Sequence, residues 1–372
     1  MWLLRTLGVV FFLVTWTVDE TFAASAASNP LAAKQEADAK GYVFITNHDE
    51  VVNKAQKEGK VRAIVNMDRF NLKATIAAFR KKYPFIEIDA QGVAGSDDAQ
   101  RLLLEVKSGA AKDWDVVDVA VQFRSDFNPY LWKVDILGMA KQGVLRIPLP
   151  MIDQKYGNVV AFENNFQVTA YNKKLVPPGL VPKTWEDILK PEFKGRKFAA
   201  DIRPKAVAAL APAWGLEKTL DFARKVAAQD PIWVRGDIRT MPFIISGEIP
   251  MMIGNNLSSV EAAQRKDRTG ILEYVILQPV PVRFSNAQAI LPTSEHTHAA
   301  LLWLEWMASP EAQKIGDETE LHSSIYVIGN TVEQKIRGMK LSLVDWDHYH
   351  YVEQWEAKVI EAYGFPKAGP GK

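Results

Sequence analysis

The chain has 372 residues, 48% of them hydrophobic, with 45 Lys+Arg against 44 Asp+Glu and no cysteine. That length and apolar content provide for two domains with sizeable cores, and the balanced charge gives no reason to expect a nucleic-acid or anionic-membrane partner. The missing cysteine excludes disulfides, thiolate metal sites, cysteine nucleophiles and acylation through a lipobox cysteine.

Residues 1–26 read as a signal peptide, with Arg5, an apolar run Leu7–Val18 and the small residues Ala24-Ser25-Ala26 at the cleavage point. The mature protein is therefore expected to be periplasmic. Later segments are too briefly apolar to cross a bilayer. Residues 27–57 are expected to be a linker and lead-in, disordered as far as about Gly41 because Ala, Ser and Lys dominate. Val61–Asn66 then reads as a buried strand. Leu72, Ile76 and Phe79 lie on one face of a helix over Asn71–Lys82, and Phe85–Ala90 alternates as a second strand. Ser96, followed by Asp97 and Asp98, caps another helix, and Asp115–Val121 is a third strand. Strand, helix, strand, helix, strand predicts a parallel sheet with helices on its faces.

Two short β-rich runs, Val159–Phe162 and Phe166–Tyr171, are broken by Glu163-Asn164-Asn165, as if one strand path left one packing unit for another. Thr184 caps a short helix over Trp185–Lys190, which Pro191 stops. The same alternation then repeats. Strands are predicted at Phe198–Ile202, Pro231–Val234 and Pro250–Ile253, and helices at Lys205–Trp214, Leu216–Ala228, Ile238–Ile245 and Leu257–Lys266. The run Leu272–Val282 carries the chain back to the first unit, helices follow at His298–Met307 and Glu311–Asp317, and an aromatic tail, Ser342–Tyr363, is expected across its back. The fold class is α/β, with two doubly wound lobes joined by two crossing strands. The predicted boundaries are lobe 1 over 58–165, lobe 2 over 166–284, and a return to lobe 1 over 285–372.

Several blocks carry a family resemblance. Ala170-Tyr171-Asn172, Pro182-Lys183-Thr184-Trp185-Glu186-Asp187 and Pro191-Glu192-Phe193-Lys194-Gly195 resemble the crossover region of type II periplasmic solute-binding proteins of ABC transporters. Glu58-Gly59-Lys60, Lys82-Tyr83-Pro84, Asp115–Ala120 and Ser309-Pro310-Glu311-Ala312-Gln313 occur in that family's order. The branch includes ferric-ion binders and small-molecule relatives. The resemblance implies a receptor that closes on one small solute and delivers it to a permease served by a separate ATPase, working as a monomer without a cofactor.

In open α/β sheets ligands bind beyond the carboxyl ends of the strands, where helix N-termini converge. That rule nominates Asp68, Arg69, Ser96 and Gln122 from lobe 1, Arg203, Asn255 and Asn256 from lobe 2, and Asn165, Ser285 and Asn286 from the crossings. Basic groups and free backbone N–H favour a small polar, anionic solute, which an arginine can hold bidentately. Phe70, Phe123 and Phe284 are candidate apolar walls. A structural salt bridge is the competing role for Arg203, turn and capping roles for Asn255 and Asn256, and a core role for Phe123. Ferric-binding members of the family present adjacent tyrosines after the strand corresponding to Pro250–Ile253. This chain has Asn255-Asn256 there and no Tyr-Tyr pair, which disfavours direct Fe³⁺ capture; ferric iron or an iron–anion complex is the alternative cargo. His348 and His350 with Asp345 and Asp347 fall in the tail, away from the cleft, and His296 and His298 are expected to be solvated. Nucleotide-binding, zincin and serine-hydrolase motifs are missing, so the chain reads as a binder, with an enzyme acting on a small anion as the rival.

Overall fold

The computed structural model describes residues 29–67, 69–93, 95–320 and 323–365. The signal-peptide segment, Asp68 and the side chains of Phe70 and Ser96 lie outside the described part. Two sheets organise the rest. In the first, the strands β1 (Lys60–Val65), β2 (Glu87–Gly92), β3 (Val116–Asp118), β4 (Val159–Ala161) and β11 (Ala287–Ile290) take the order β2-β1-β3-β11-β4. β1 pairs in parallel with β2 and β3, while β11 runs antiparallel to β3 and β4. Val61, Ala63, Ile64 and Val65 of β1 are all buried, as a strand covered on both faces requires.

The second sheet contains β5 (Asn164–Asn172), β6 (Ala199–Asp201), β7 (Ile232–Val234), β8 (Met251–Asn256), β9 (Leu272–Val275), β10 (Val280–Phe284) and β12 (Leu341–Val344). Their order is β12-β10-β5-β8-β6-β7, with β9 also on β5. Two buried apolar clusters sandwich each sheet. Trp185 is fully buried in the second lobe and donates its indole N–H to Pro279 O at 3.0 Å. Thr184 and Asp187 exchange bonds as a capping box, although what they cap is a 3₁₀ turn, Glu186–Leu189.

The lobes meet where β5 and β10 run antiparallel, Arg283 opposite Asn165 and Phe284 opposite Asn164. Glu163 ties the two crossings together. Its carbonyl accepts from the Ser285 N–H (3.1 Å), and its carboxylate accepts from Ser285 Oγ (3.3 Å) and Asn286 Nδ2 (3.1 Å).

Four expectations are corrected. Pro30–Ala39 forms a helix instead of a disordered linker, capped by Asn29 (Ala32 N to Oδ1, 3.1 Å); alanine and lysine are good helix formers, and Ala37 is buried. A second helix, His48–Glu58, packs along Thr297–Met307. The expected helix Lys205–Trp214 splits into Lys205–Ala208 and Ala211–Trp214, because Pro212 has no N–H to bond Ala208 O. Ser342 fills that break, donating to Ala209 O (2.7 Å) and accepting from Ala213 N (3.1 Å). The run Leu272–Val282 is two strands, β9 and the start of β10.

The fourth correction concerns the tail. Residues 285–372 do not stay with the first lobe, since β12 joins the second sheet in parallel with β10. Trp346 and Tyr349 pack into a first-lobe cluster with Val121 and Phe127, whereas Trp355, Val359 and Tyr363 join a second-lobe core. The chain thus passes between the lobes again in its tail, besides the two crossing strands.

Candidate functional site

A cavity of about 500 Å³ opens between the two sheets, within the size range of small-molecule sites. Asn66, just after β1, and Gln122 and Phe123, on the 3₁₀ turn following β3, form its first-lobe side. These positions lie at the carboxyl ends of parallel strands, where the sheet leaves backbone groups unpaired. Asn165 and Ser285 come from the crossings, and Lys205 opens the helix after β6. Arg283, on β10, projects into the same space.

Lys205 and Arg283 dominate the electrostatics. Neither forms an ion pair with a described residue; Arg283 Nη2 lies 3.5 Å from Asn256 Oδ1. Burial in the cavity wall, reinforced by neighbouring Arg283, holds the Lys205 ammonium below the usual lysine pKa. Two cations at a cavity wall, without an ion-pair partner among the described residues, can receive an anion. Packed on the Lys205–Ala208 helix stands the helix Val352–Tyr363, which contributes Glu353, Trp355 and Glu356. Burial raises the pKa of Glu356, and Lys205 and Arg283 act against that rise. Phe284, Tyr349 and Trp355 give the cavity apolar walls; the buried Tyr349 hydroxyl donates to Phe284 O at 2.5 Å and is pushed to higher pKa by burial. Beneath the crossings, Asp118 ends β3 at 3% exposure. Burial first, and then the Glu163 carboxylate, push its pKa up to about 8.

Of the nominated residues, Gln122, Asn165 and Ser285 line the cavity together. Arg203 does not. Its guanidinium is 3.4 Å from the Asp201 carboxylate, which also accepts from the Arg203 and Gly236 N–H groups. Asn255 is fully buried, donating to Met252 O (2.7 Å) and Val168 O (3.3 Å), so it braces the β5–β8 pairing instead of facing solute. Asn256 Oδ1 accepts from Gln167 Nε2 at 2.7 Å and reaches the site only through Arg283. Asn286 is buried in the crossing, bonded to Asn66 O and Glu163. Arg69 is exposed on the first turn of the helix Arg69–Lys82, away from the cavity wall, and Asp68 and the Ser96 side chain lie outside the described residues. Of the candidate walls, Phe123 and Phe284 serve both cavity and core.

Arg124, beside Gln122 and Phe123, is buried in a structural role, bonding Asp153 (3.0 Å) and Trp346 O (2.5 Å). His296 and His298 are paired, not solvated. His296 lies 3.1 Å from Asp115, and His298 lies 2.6 Å from Glu58, which also caps the helix Thr297–Met307 through Ala299 N. His348 sits 2.7 Å from Asp345 and against Trp355; among the described residues no three His, Asp or Glu are grouped to hold a metal ion.

Arg283, Glu353 and Glu356 fall outside the nominated positions; Lys205 closes the nominated loop Arg203-Pro204-Lys205, from which Arg203 is the residue the sequence singles out. Lys205 had a signal, standing two residues past Arg203 at the same helix start. Arg283 stands one residue past the predicted run Leu272–Val282, in a stretch that carries no ligand signal. The two glutamates had none, because their place depends on where the tail crosses.

The geometry finds counterparts among solved structures. Trichodesmium IdiA (FutA), in complex with iron and citrate, is 17% identical with a TM-score of 0.64, covering 83% of this chain and 100% of its own. The Bordetella ferric binding protein is 18% identical with a TM-score of 0.64, covering 82% and 99%. The substrate binding protein of an ABC transporter from Agrobacterium tumefaciens is 14% identical with a TM-score of 0.58, covering 81% and 94%. These likenesses establish the type II periplasmic binding fold. No curated protein sequence matches the chain. The family model for bacterial extracellular solute-binding proteins matches residues 74–321, spanning β2 through β11 and so both lobes and both crossings; the chain belongs to that family.

Proposed function

We propose that the protein is the periplasmic receptor of an ABC importer, exported by its N-terminal segment, and that it takes a small polar solute through an anionic group held by Lys205 and Arg283. The observation that carries this reading is a pair of cations, in no ion pair with a described residue, facing a cavity walled by both lobes. Solute touching both lobes favours the closed arrangement and shifts the open–closed equilibrium by its differential affinity. The permease then recognises that closed monomer, and a separate ATPase supplies the energy. The same cations oppose a bare ferric ion. Asn255 and Asn256 stand where the resemblance places tyrosines, and their oxygens are carboxamide acceptors, one of them bonded to Gln167 and Arg283. An iron–anion complex would have to enter anion first. We read the chain as a carrier and not a catalyst, in keeping with the solute-binding family to which it belongs.

Thermal shift followed by calorimetry tests this with acetate, butyrate, benzoate, methylphosphonate and citrate. Any anion that binds should lose about tenfold or more in affinity in Lys205→Ala and in Arg283→Ala. Arg203→Ala, which removes an exposed pair, should stay within about twofold. Unchanged affinity in both Lys205→Ala and Arg283→Ala would reject the site.

A further inference from the structure

The cavity is lined by charges of both signs. Lys205 and Arg283 form a basic pair; Glu353 and Glu356, three residues apart on the helix Val352–Tyr363 and so on one face of it, form an acidic one. None of the four is in an ion pair with a described residue. They nevertheless sense one another, since Lys205 and Arg283 are the main charges opposing the rise in the Glu356 pKa. The helix Val352–Tyr363 packs on the helix Lys205–Ala208, yet these charges close no ion pair among the described residues, although a partly buried charge without a partner is costly. All four instead border one space of about 500 Å³.

Trp355, between the two glutamates, is anchored in the second-lobe core. Ser342 fixes the incoming tail to the backbone beside the Lys205 helix. Trp355 also borders the cavity next to the carboxylates. The acidic wall lies beyond residue 321, where the family match ends; it belongs to this chain's own tail.

We propose that the solute is a small zwitterion, an ammonium group joined by a short chain to a carboxylate, with its acid end on Lys205 and Arg283 and its ammonium on Glu353 and Glu356. This rests on the receptor reading and narrows it: the cationic wall alone would accept any small anion, while the acidic wall rejects a plain anion's apolar tail and rewards an ammonium. The walls select by charge separation, so one chain length should fit best.

Calorimetry on the full mature protein decides the matter, using glycine, β-alanine, γ-aminobutyrate and 5-aminopentanoate, with butyrate and butylamine as single-charge controls. At least one amino acid should bind about tenfold or more tighter than butyrate. Glu356→Gln should remove that preference while leaving butyrate affinity equal or higher, and Glu353→Gln should reduce it. Lys205→Ala should weaken amino acid and butyrate together. Butyrate binding that depends on Lys205 and equals or exceeds every amino acid would overturn the zwitterion and leave the receptor reading standing. Failure of every amino acid to bind, or a preference that survives Glu356→Gln in a variant with the wild-type circular dichroism spectrum, would also overturn it. Binding that ignores Lys205 and Arg283 would remove the receptor site itself.

Discussion

Asp118→Asn offers the most direct test of the electrostatics beneath the crossings. Asp118 is 3% exposed, and burial together with Glu163 raises its pKa from 3.8 to about 8. Below about pH 4 folded and unfolded chains both hold the proton, and the group contributes nothing to the pH dependence. Between about pH 4 and pH 8 the folded chain keeps a proton that the unfolded chain has lost, so unfolding free energy falls as pH rises, reaching its floor past the folded pKa. Each pH unit is worth about 1.4 kcal/mol, which makes about 3 kcal/mol between pH 5 and pH 7 as a ceiling. Asparagine has nearly the same shape and cannot ionise. Its stability relative to wild type should therefore climb by up to about 3 kcal/mol over that interval, whatever constant offset the amide brings. Urea unfolding of both proteins at pH 5, 6 and 7 measures it. A stability difference that stays flat with pH would refute the buried, protonated Asp118.

Glu58 behaves in the opposite sense. Burial would raise its pKa, but hydrogen bonds from the His298 ring and from Ala299 and His298 N–H outweigh it and leave it lowered. Its stabilisation is present above the unfolded pKa and lost as pH falls through the folded one, so Glu58→Gln should cost about 1–2 kcal/mol at pH 7 and almost nothing near pH 3, read from urea melts; an equal cost at both pH values counts against the pairing. Gly254 has φ of +72°, and a Cβ there would lie 2.3 Å from Ala206 Cβ. Gly254→Ala should thus destabilise by about 2–4 kcal/mol and weaken solute binding by displacing the helix that carries Lys205; a variant as stable as wild type contradicts the close approach. Added Fe³⁺ should produce no visible phenolate charge-transfer band, since Tyr349 at the cavity is buried and bonded to Phe284 O; a coloured complex would restore direct iron capture.

Local signals carried much of the architecture. The i, i+4, i+7 pattern of Leu72, Ile76 and Phe79, the alternation before Ala90 and the polar break at Glu163-Asn164-Asn165 each name an element or a crossing that the structure contains. The rule for carboxyl ends of strands reached Gln122, and the breaks themselves reached Asn165 and Ser285. Arginine and asparagine misled, because a side chain's type does not reveal whether a neighbour has already claimed it. Asp201 takes Arg203, and Met252 and Val168 take Asn255. The N-terminal helix was missed by weighting composition over helix propensity. The mixed-charge cavity is out of reach for a deeper reason: it brings together residues over 140 positions apart, Lys205 and Glu353, and no periodicity spans that interval.

Trp346 is bound to the first lobe through the buried Arg124 guanidinium, while Trp355 and Val359 are embedded in the second. Only a few residues, including the turn Tyr349–Tyr351, separate these anchors. A swing of one half of the molecule against the other draws on that short leash as well as on the crossing strands, so the tail tethers the jaws as they part.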